Sequence, residues 1–469
     1  MTSFSFLIVA LLAATKTVDA FSAIAPPQGK NKVLVLVEPS PLTYVSGYAN
    51  RFQALFKHLD SQQTNFEVVT VDVHSGQKPD SHLGRTVHHT AAVPIPWYNE
   101  LGLSVDWRFQ IGRVIRRMRP DILHVSSPGL LPFPALLYSR LFQIPLLFSY
   151  HTHMPIYVRS YVPKFMGLQR GCEWLSWQLI RIFHSMVDAT VATSPQIVQE
   201  FKDHGIPRCF LWEKGVDTER FHPRFKSQEM RHRITNGNPD DFLIVHVGRL
   251  GREKRIDEIK EILHKMDNTR LCIVGHGPYE KQLHKNFAEF GDKVHFTGLL
   301  HGDELSQAYA SADAFCMPSD SETLGFVVLE SMASEVPVVG CNAGGIPHTI
   351  RPVENTGSFL VETGDIDGYV EKLKLLQSNV ELRQRMGRRS REEMLRWSWE
   401  DSMSQLREET YRVAKENKHN RWENRLWRVA TLQPLRKRIF GRRRRQQQRT
   451  VMGAGDAVPT VVSAKVEDI

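Results

Sequence analysis

Cysteine is scarce in this chain and never paired in a motif: Cys172, Cys209, Cys272, Cys316 and Cys341 lie far apart, odd in number and without a CxxC. That spacing excludes a disulfide framework and a zinc knuckle. Cys272 and Cys316 fall inside apolar runs and read as small packed hydrophobes. Long apolar stretches are missing too. The one run approaching membrane character, Phe4 to Ala14, is too short to cross a bilayer comfortably. It also lacks the Lys or Arg that ordinarily precedes a signal-peptide core. No repeat of solenoid length recurs, and no RNA-binding motif is present. With 41% hydrophobic and 24% charged residues the composition is that of an average globular protein, which excludes general disorder and a multi-spanning membrane protein. A length of 469 residues exceeds what one core usually organises, so two domains are expected.

What is present in excess is positive charge, and it is concentrated. The net charge is +9, yet between Arg421 and Arg449 eleven basic residues face one acidic residue, leaving the remainder of the chain close to neutral. The basicity therefore belongs to a tail.

Short apolar runs recur, each followed by turn residues and a longer helical pattern: KVLVLVE (32 to 38), FEVVTVDV (66 to 73), DILHVSS (121 to 127), IPLLFSYH (144 to 151) and ATVATS (189 to 194). Continuous hydrophobicity marks strands covered on both faces, as in a parallel sheet. The rhythm restarts with FLIVHVG (242 to 248), LCIVG (271 to 275), KVHFTG (293 to 298), DAFCMP (313 to 318) and VPVVG (336 to 340). The expected class is α/β, with two doubly wound domains joined near Lys214 to Pro239. From Glu392 to Lys415 the pattern is helical and strongly charged, and beyond Gly441 a low-complexity tail is expected to be disordered.

Two segments carry chemistry. In HVGRLGREKRIDEIKEILHKM, from His246, the apolar residues Ile256, Ile259, Leu263 and Met266 space as the buried stripe of a helix. Arg249, Arg252, Lys254 and Arg255 then crowd its N-terminus, where cations oppose the helix dipole unless an anion such as a diphosphate sits there. Solvated loop charges are the competing explanation. In MPSDSETLGFVVLESMA, from Met317, Glu322 is expected in a loop after a strand, and Glu330 about two turns into the following helix. Gly325 lets that helix start close to a ligand, with the amides of Gly325, Phe326 and Val327 facing it. A carboxylate can accept hydrogen bonds from both hydroxyls of a vicinal diol, which suits one glutamate to a ribose and the other to a hexose. An N-terminal helix charge plus a surface glutamate explains this segment equally well when it is taken alone.

Together, GRxxxxK (Gly248, Arg249, Lys254), SExxGFxxLE (Ser321 to Glu330) and AGGIP (Ala343 to Pro347) resemble the donor-binding signature of the retaining GT-B glycosyltransferases. The resemblance covers most of residues 30 to 400. VGHGP (274 to 278) and KGVD (214 to 217) match the family's VGDGP and NGVD with one change each, His276 and Lys214. Within the family, VEPSPLTYVSGYANRF (37 to 52), SYHTHMPIYV (149 to 158), LWEKGVD (211 to 217) and GDELSQAYASADAFCMPSDSETLGFVVLE (302 to 330) are most similar to the sulfoquinovosyltransferase branch. Those enzymes join sulfoquinovose from UDP-sulfoquinovose to diacylglycerol.

By that resemblance Arg249 and Lys254 hold the diphosphate, Glu330 the ribose and Glu322 a sugar hydroxyl, while Gly47 belongs to a loop approaching the phosphates. Gly248, Gly325, Phe326 and Val327 complete the donor site. His151, at a strand's carboxyl end, would lie beside the reacting sugar. The UDP-sugar is a co-substrate, and no tightly bound cofactor or metal is expected. His151 and His153 share a strand face, but no third ligand stands at a convincing spacing. Asp365, Ile366 and Asp367 form a DxD that reads better as a loop former. With no carboxylate pair announcing a double displacement, a dissociative, oxocarbenium-like transition state is expected, supported by Arg249 and Lys254.

The expected organisation is a signal and plastid-targeting presequence over 1–29, an acceptor-side Rossmann-like domain over 30–215, a nucleotide-sugar domain with its closing helix over 216–417, and a basic tail over 418–469. Val18 to Ala20 give a small-residue cleavage pattern, and FSAIAP from Phe21 resembles the phenylalanine-centred junction of bipartite plastid presequences. A buried N-terminal strand or helix is the alternative. An anionic membrane surface in the plastid is the expected partner besides the two substrates, reached through the tail or through the Tyr157 to Phe183 stretch. The tail reads equally as a solvated terminus, and the Tyr157 to Phe183 stretch rather better as an ordinary core helix. Two competing readings stand beside this one. Another UDP-sugar lipid glycosyltransferase of the same fold would differ only in its sugar. A basic nucleic-acid-binding protein would leave both motif segments unexplained.

Overall fold

A computed structural model describes residues 32–44, 46–72, 78–95, 98–126, 128–162, 167–350, 357–419 and 421. The presequence reading and nearly all of the tail, Trp422 and Trp427 included, lie outside the described residues. Residues 1–415 form one compact unit that holds both sheets, and residues 416–469 form a second.

The first half runs β1 (Lys32–Val37), α1 (Gly47–Ser61), β2 (Asn65–Thr70), β3 (Ser81–His82), β4 (Arg85–His89), β5 (Ala91–Ile95), β6 (Tyr98–Val105), α2 (Gln110–Met118), β7 (Ile122–Ser126), α3 (Pro132–Leu141), β8 (Leu146–Tyr150), α4 (Met154–Tyr161), α5 (Leu168–Met186), β9 (Ala189–Ala192), α6 (Pro195–Asp203) and β10 (Cys209–Leu211). The sheet order is β10-β9-β8-β7-β1-β2-β4-β3, parallel throughout except for the β3–β4 pair, with β5 and β6 forming a separate antiparallel hairpin. Strands such as β1 and β7 are buried along nearly their whole length because helices cover both faces, which is why their apolar runs do not alternate.

The second half runs α7 (Gln228–Ile234), β11 (Phe242–Val247), α8 (Asp257–His264), β12 (Thr269–Val274), α9 (Glu280–Asn286), β13 (Val294–Gly298), α10 (Gly302–Ala310), β14 (Ala314–Met317), α11 (Phe326–Ala333), β15 (Val338–Cys341), α12 (Ile346–Thr349), β16 (Phe359–Val361), α13 (Ile366–Ser378), α14 (Val380–Met394), α15 (Trp399–Gln405) and α16 (Tyr411–His419). Its sheet order, β13-β12-β11-β14-β15-β16, is parallel throughout and reverses direction between β11 and β14. That is the doubly wound arrangement expected of both halves.

The region expected only as a join contains α7, capped by Ser227, whose side chain accepts from the Met230 amide at 3.1 Å. After α14 the chain leaves the second sheet. Met403, Leu406, Tyr411 and Ala414 pack into the first half's core beside Val35, Phe52, Phe56 and Trp212, and Tyr411 Oη lies 2.9 Å from His124 Nδ1. The closing helices therefore bind to the first half, so two chain segments cross between the halves.

Candidate active site

In a doubly wound sheet the strand order reverses at one point, and the diverging loops there leave a crevice outside the carboxyl ends of the strands. In the second sheet that point lies between β11 and β14. The loop after β11 carries Gly248, Arg249 and a single 3-10 turn, Arg252–Lys254; the loop after β14 carries Asp320 to Leu324. The second loop is supported from behind by the glycine pair of AGGIP. A Cβ on Gly344 would stand 2.6 Å from the Glu322 carbonyl oxygen, and one on Gly345 would stand 2.5 Å from that of Thr323. Gly345 also donates its amide to the Glu322 carbonyl at 2.6 Å. Only residues without side chains permit this approach, and Gly344 adopts φ +61° besides.

The cations of the first loop face the carboxylates of the second. Lys254 Nζ lies 2.5 Å from Glu322 Oε1, and Arg255 Nη1 lies 3.0 Å from Asp320 Oδ2. Arg249 pairs with Glu253 and reaches Tyr157 Oη at 3.3 Å. Burial opposes both charges of the Lys254–Glu322 pair, but their mutual attraction wins: the Glu322 carboxyl is held below its usual range and the Lys254 ammonium above its own. Arg252 is exposed on the turn.

The spacing puts Lys254 and Arg255 in or just before the first turn of α8, and they lie just before it; only the role of the helix dipole is corrected. Helix α8 begins at Asp257, and its first turn holds Asp257 and Glu258, so the helix dipole is already met by acids. Lys254 and Arg255 precede the helix, with Arg255 at φ +53°. They are aimed by the 3-10 turn across the crevice, and the dipole is not what positions them. The buried stripe Ile256, Ile259, Leu263 and Met266 is as the spacing requires.

Glu330 occupies a different environment. It is the fifth residue of α11, little more than one turn in rather than two, because the helix starts only after Gly325 at φ +84°. Its Oε2 accepts from Tyr309 Oη at 2.9 Å, and its Oε1 from Asn50 Nδ2 at 3.4 Å. Burial pushes its carboxyl up to about 7, against the pull of Tyr309, Arg220 and Asn50. The two glutamates therefore act separately, one ionised and salt-bridged, the other poised to titrate.

The first half closes over this site through α1. Ser46 caps α1, accepting from the Ala49 amide at 3.3 Å, and directly after it a Cβ on Gly47 would stand 2.5 Å from Phe326 Cδ2. Gly47 thus lets the start of α1 meet the start of α11, and Phe326 lies beneath Arg51, whose guanidinium carbon is 5.1 Å from the ring centroid. Arg51 is fully buried and donates to the carbonyls of Trp212 at 3.3 Å and Glu213 at 3.2 Å. Beside α1, His151 packs among Tyr48, Phe52 and Trp212. Its Nε2 is buried with no hydrogen-bond partner among the described residues, and burial, with Arg51 and His124 nearby, holds the ring neutral.

His153 does not join His151; it pairs with Glu200 at 3.1 Å. Asp365 caps α13 by accepting from the Gly368 amide at 2.9 Å, and Asp367 pairs with Lys265 at 2.6 Å, so the DxD builds a helix start. Lys214, one of the two departures from the family pattern, donates to the His348 carbonyl at 2.8 Å and stands 4.3 Å over the Trp397 ring. His276, the other, pairs with Glu280 at 2.5 Å.

Several residues of the site are not legible in the sequence. Asn50, Tyr157 and Tyr309 each touch a motif residue from an element remote in the chain. His246, buried under Gly248, gives Nδ1 to the Cys316 carbonyl at 2.9 Å and leaves Nε2 without a partner among the described residues. Its place at the end of β11, one residue before the GR motif's strand ends, is the only sequence signal it offers.

Two family models and several known proteins match this chain. Residues 45–220 match the model of Glycosyltransferase Family 4, and residues 227–393 that of Glycosyl transferases group 1. The chain is 41% identical over 390 residues to sulfoquinovosyl transferase SQD2 of Arabidopsis thaliana, an alignment covering 82% of this chain and 74% of that one. Among solved structures it superposes on sucrose-phosphate synthase from Thermosynechococcus elongatus with a TM-score of 0.67 at 18% identity, over 82% of this chain and 98% of the other. It also superposes on Anabaena HepE in complex with UDP and glucose with a TM-score of 0.61 at 14% identity, over 80% and 98%. With two doubly wound halves facing one crevice and a curated relative matched along most of its length, the chain belongs to the GT-B glycosyltransferases, in the family of the sulfoquinovosyl transferases.

Proposed function

We propose that this enzyme transfers sulfoquinovose from UDP-sulfoquinovose to diacylglycerol, with retention of anomeric configuration, as a peripheral enzyme of a plastid membrane reached after removal of an N-terminal presequence. The likeness to the Arabidopsis transferase carries the choice of substrates, and the Lys254–Glu322 pair carries the chemistry. No helix among the described residues is long and apolar enough to cross a membrane.

A departing UDP needs its developing negative charge compensated where it forms. Arg249 and Lys254 supply that compensation, and before the donor arrives they are held by Glu253 and Glu322. A diphosphate entering between the two loops competes for Lys254. As the ammonium turns to phosphate, Glu322 is left ionised with its oxygens available to a sugar hydroxyl. Glu330, reached by Asn50 from the closing half, accepts from the ribose diol. The amides at the start of α11, beside Gly325, Phe326 and Val327, have no carbonyl one turn earlier to bond and are available to phosphate oxygens. His151, neutral, presents beside the reacting sugar an Nε2 with no hydrogen-bond partner among the described residues. The departing phosphate accepts the acceptor hydroxyl's proton.

The test is a panel of UDP-sugars with diacylglycerol, including UDP-sulfoquinovose, UDP-glucose and UDP-galactose, with the anomeric configuration of the product read by NMR. Preference for UDP-sulfoquinovose and an unchanged anomer support the reading. Efficient transfer of another hexose with none of sulfoquinovose overturns the donor assignment, and an inverted product overturns retention.

A further inference from the structure

Helix α5 is apolar on two opposite sides. Trp177 and His184 point inward and are buried, with Ile180 and Phe183 packed against the same core. Leu168, Leu175, Leu179, Ile182 and Met186 recur at the helical period along the other side, and all are exposed. Leu179 is 59% and Ile182 57% exposed, and Trp174, flanking the stripe, 64%. A helix apolar all round is normally covered on both sides. The core-helix expectation for this stretch thus holds for one face only.

The apolar surface continues onto α3. The Phe133 and Phe183 rings pack edge to face at 6.3 Å, which sets the two helices side by side, and Phe133 (63%) and Leu137 (52%) are exposed next to the stripe. Contiguous apolar surface of this kind marks a contact with a membrane or another protein. Its charge selects between them. Helices α2, α3 and α5 pack on the same side of the first sheet and carry six arginines against one glutamate, and that glutamate, Glu173, is engaged by Arg159 of α4 at 2.9 Å. Arg113, Arg116, Arg170 and Arg181 are exposed. An apolar centre with an arginine border is the complement of an anionic bilayer, in which the stripe enters the acyl boundary and the guanidinium groups meet the headgroups.

The position of the face fits a lipid acceptor. Helix α4 lies between it and the crevice: Arg159 holds α5 through Glu173, while Tyr157 of the same helix touches Arg249 at the donor site. A bilayer on α3 and α5 would stand one helix away from the place where the sugar is released.

We infer that the outward face of α3 and α5, bordered by the arginines of α2, α3 and α5, docks the enzyme on an anionic lipid bilayer. The inference rests on the lipid-acceptor reading above and deepens it. The experiment is co-sedimentation of the full chain with vesicles of phosphatidylcholine, with and without phosphatidylglycerol, in the absence of donor. The doubly substituted Leu179→Asp/Ile182→Asp chain should bind about tenfold or more weakly at every salt concentration, because two apolar contacts are replaced by anions. The Arg113→Glu/Arg181→Glu chain should bind several-fold more weakly at low salt only, since screening removes its deficit. Melting temperatures near that of the parent establish that these exposed substitutions leave the fold intact. Vesicle binding unchanged in both variants overturns the inference. So does sedimentation velocity showing a dimer that Leu179→Asp/Ile182→Asp splits, which would assign the face to a second copy of the chain. Turnover on detergent-dispersed short-chain diacylglycerol separates the two readings: the variants should retain it, and its absence in the parent would count against the proposed reaction and leave the docking result standing.

Discussion

Lys254 Nζ stands 2.5 Å from Glu322 Oε1, tying the loop after β11 to the loop after β14 across the crevice where the second sheet reverses its strand order. On the proposed reading, a donor diphosphate would compete with Glu322 for Lys254 at this pair.

Removing the leaving-group cations should abolish most of the activity. Lys254→Ala and Arg249→Ala are each expected to lower kcat by about two or more orders of magnitude, because the charge on departing UDP is then uncompensated. Circular dichroism should show both folded. Normal turnover in either variant would remove the role assigned to that residue.

Glu330 gives a pH signature whose sign follows from burial. A glutamate titrates near 4.3 in the unfolded chain, and this one is pushed up to about 7 in the folded protein. Between those values the native state binds more protons than the unfolded state, so the contribution of Glu330 to stability is full at low pH and falls as pH rises through 7. Glu330→Gln should flatten the fall of melting temperature with pH across this window. It should also weaken UDP binding by about 1 to 3 kcal/mol, since an amide oxygen accepts from the ribose hydroxyls less strongly than a carboxylate. Calorimetry showing unchanged UDP affinity would mean that Glu330 does not hold the ribose.

The glycine pair behind Glu322 should be intolerant of any side chain. Gly344→Ala adds a Cβ 2.6 Å from the Glu322 carbonyl oxygen at a residue with φ +61°. Strain of about 1 to 3 kcal/mol is expected. Relief of that strain by moving the Glu322 loop would raise KM for the donor, so a variant with the parent's melting temperature and KM would show that the loop is not braced there.

The basic tail should add a separate, mainly electrostatic attachment, with apolar side chains such as Trp422 and Trp427 adding burial at the interface. Deleting residues 419–469 removes a segment whose local charge between Arg421 and Arg449 is about +10. Binding to anionic vesicles should weaken at low salt and match the full chain at high salt, with UDP affinity unchanged. Equal binding by both chains at every salt concentration would leave the tail without a membrane role and assign attachment to the α3 and α5 face alone.

The sequence alone determined the two largely parallel sheets and the loops that carry Arg249, Lys254 and Glu322, because both are written locally. A strand covered on both faces must be apolar at every position, as in β1 and β11, and a loop that meets another backbone must be glycine, as at Gly344 and Gly345. What it could not determine is which remote elements complete a contact. Asn50 reaches Glu330 from the other half, and Tyr411 enters the first core beside His124 after the chain has crossed the second half entirely. The electrostatic state of the two glutamates was likewise decided in three dimensions: both are acids of one motif, but Glu322 lies against Lys254 and stays ionised, while Glu330 lies against a tyrosine in a buried pocket. Helix α5 makes the same point on the surface. Its composition reads as core, and only its neighbours show that one apolar stripe is covered while the other faces outward, because burial belongs to the packing of elements and not to the residues that compose them.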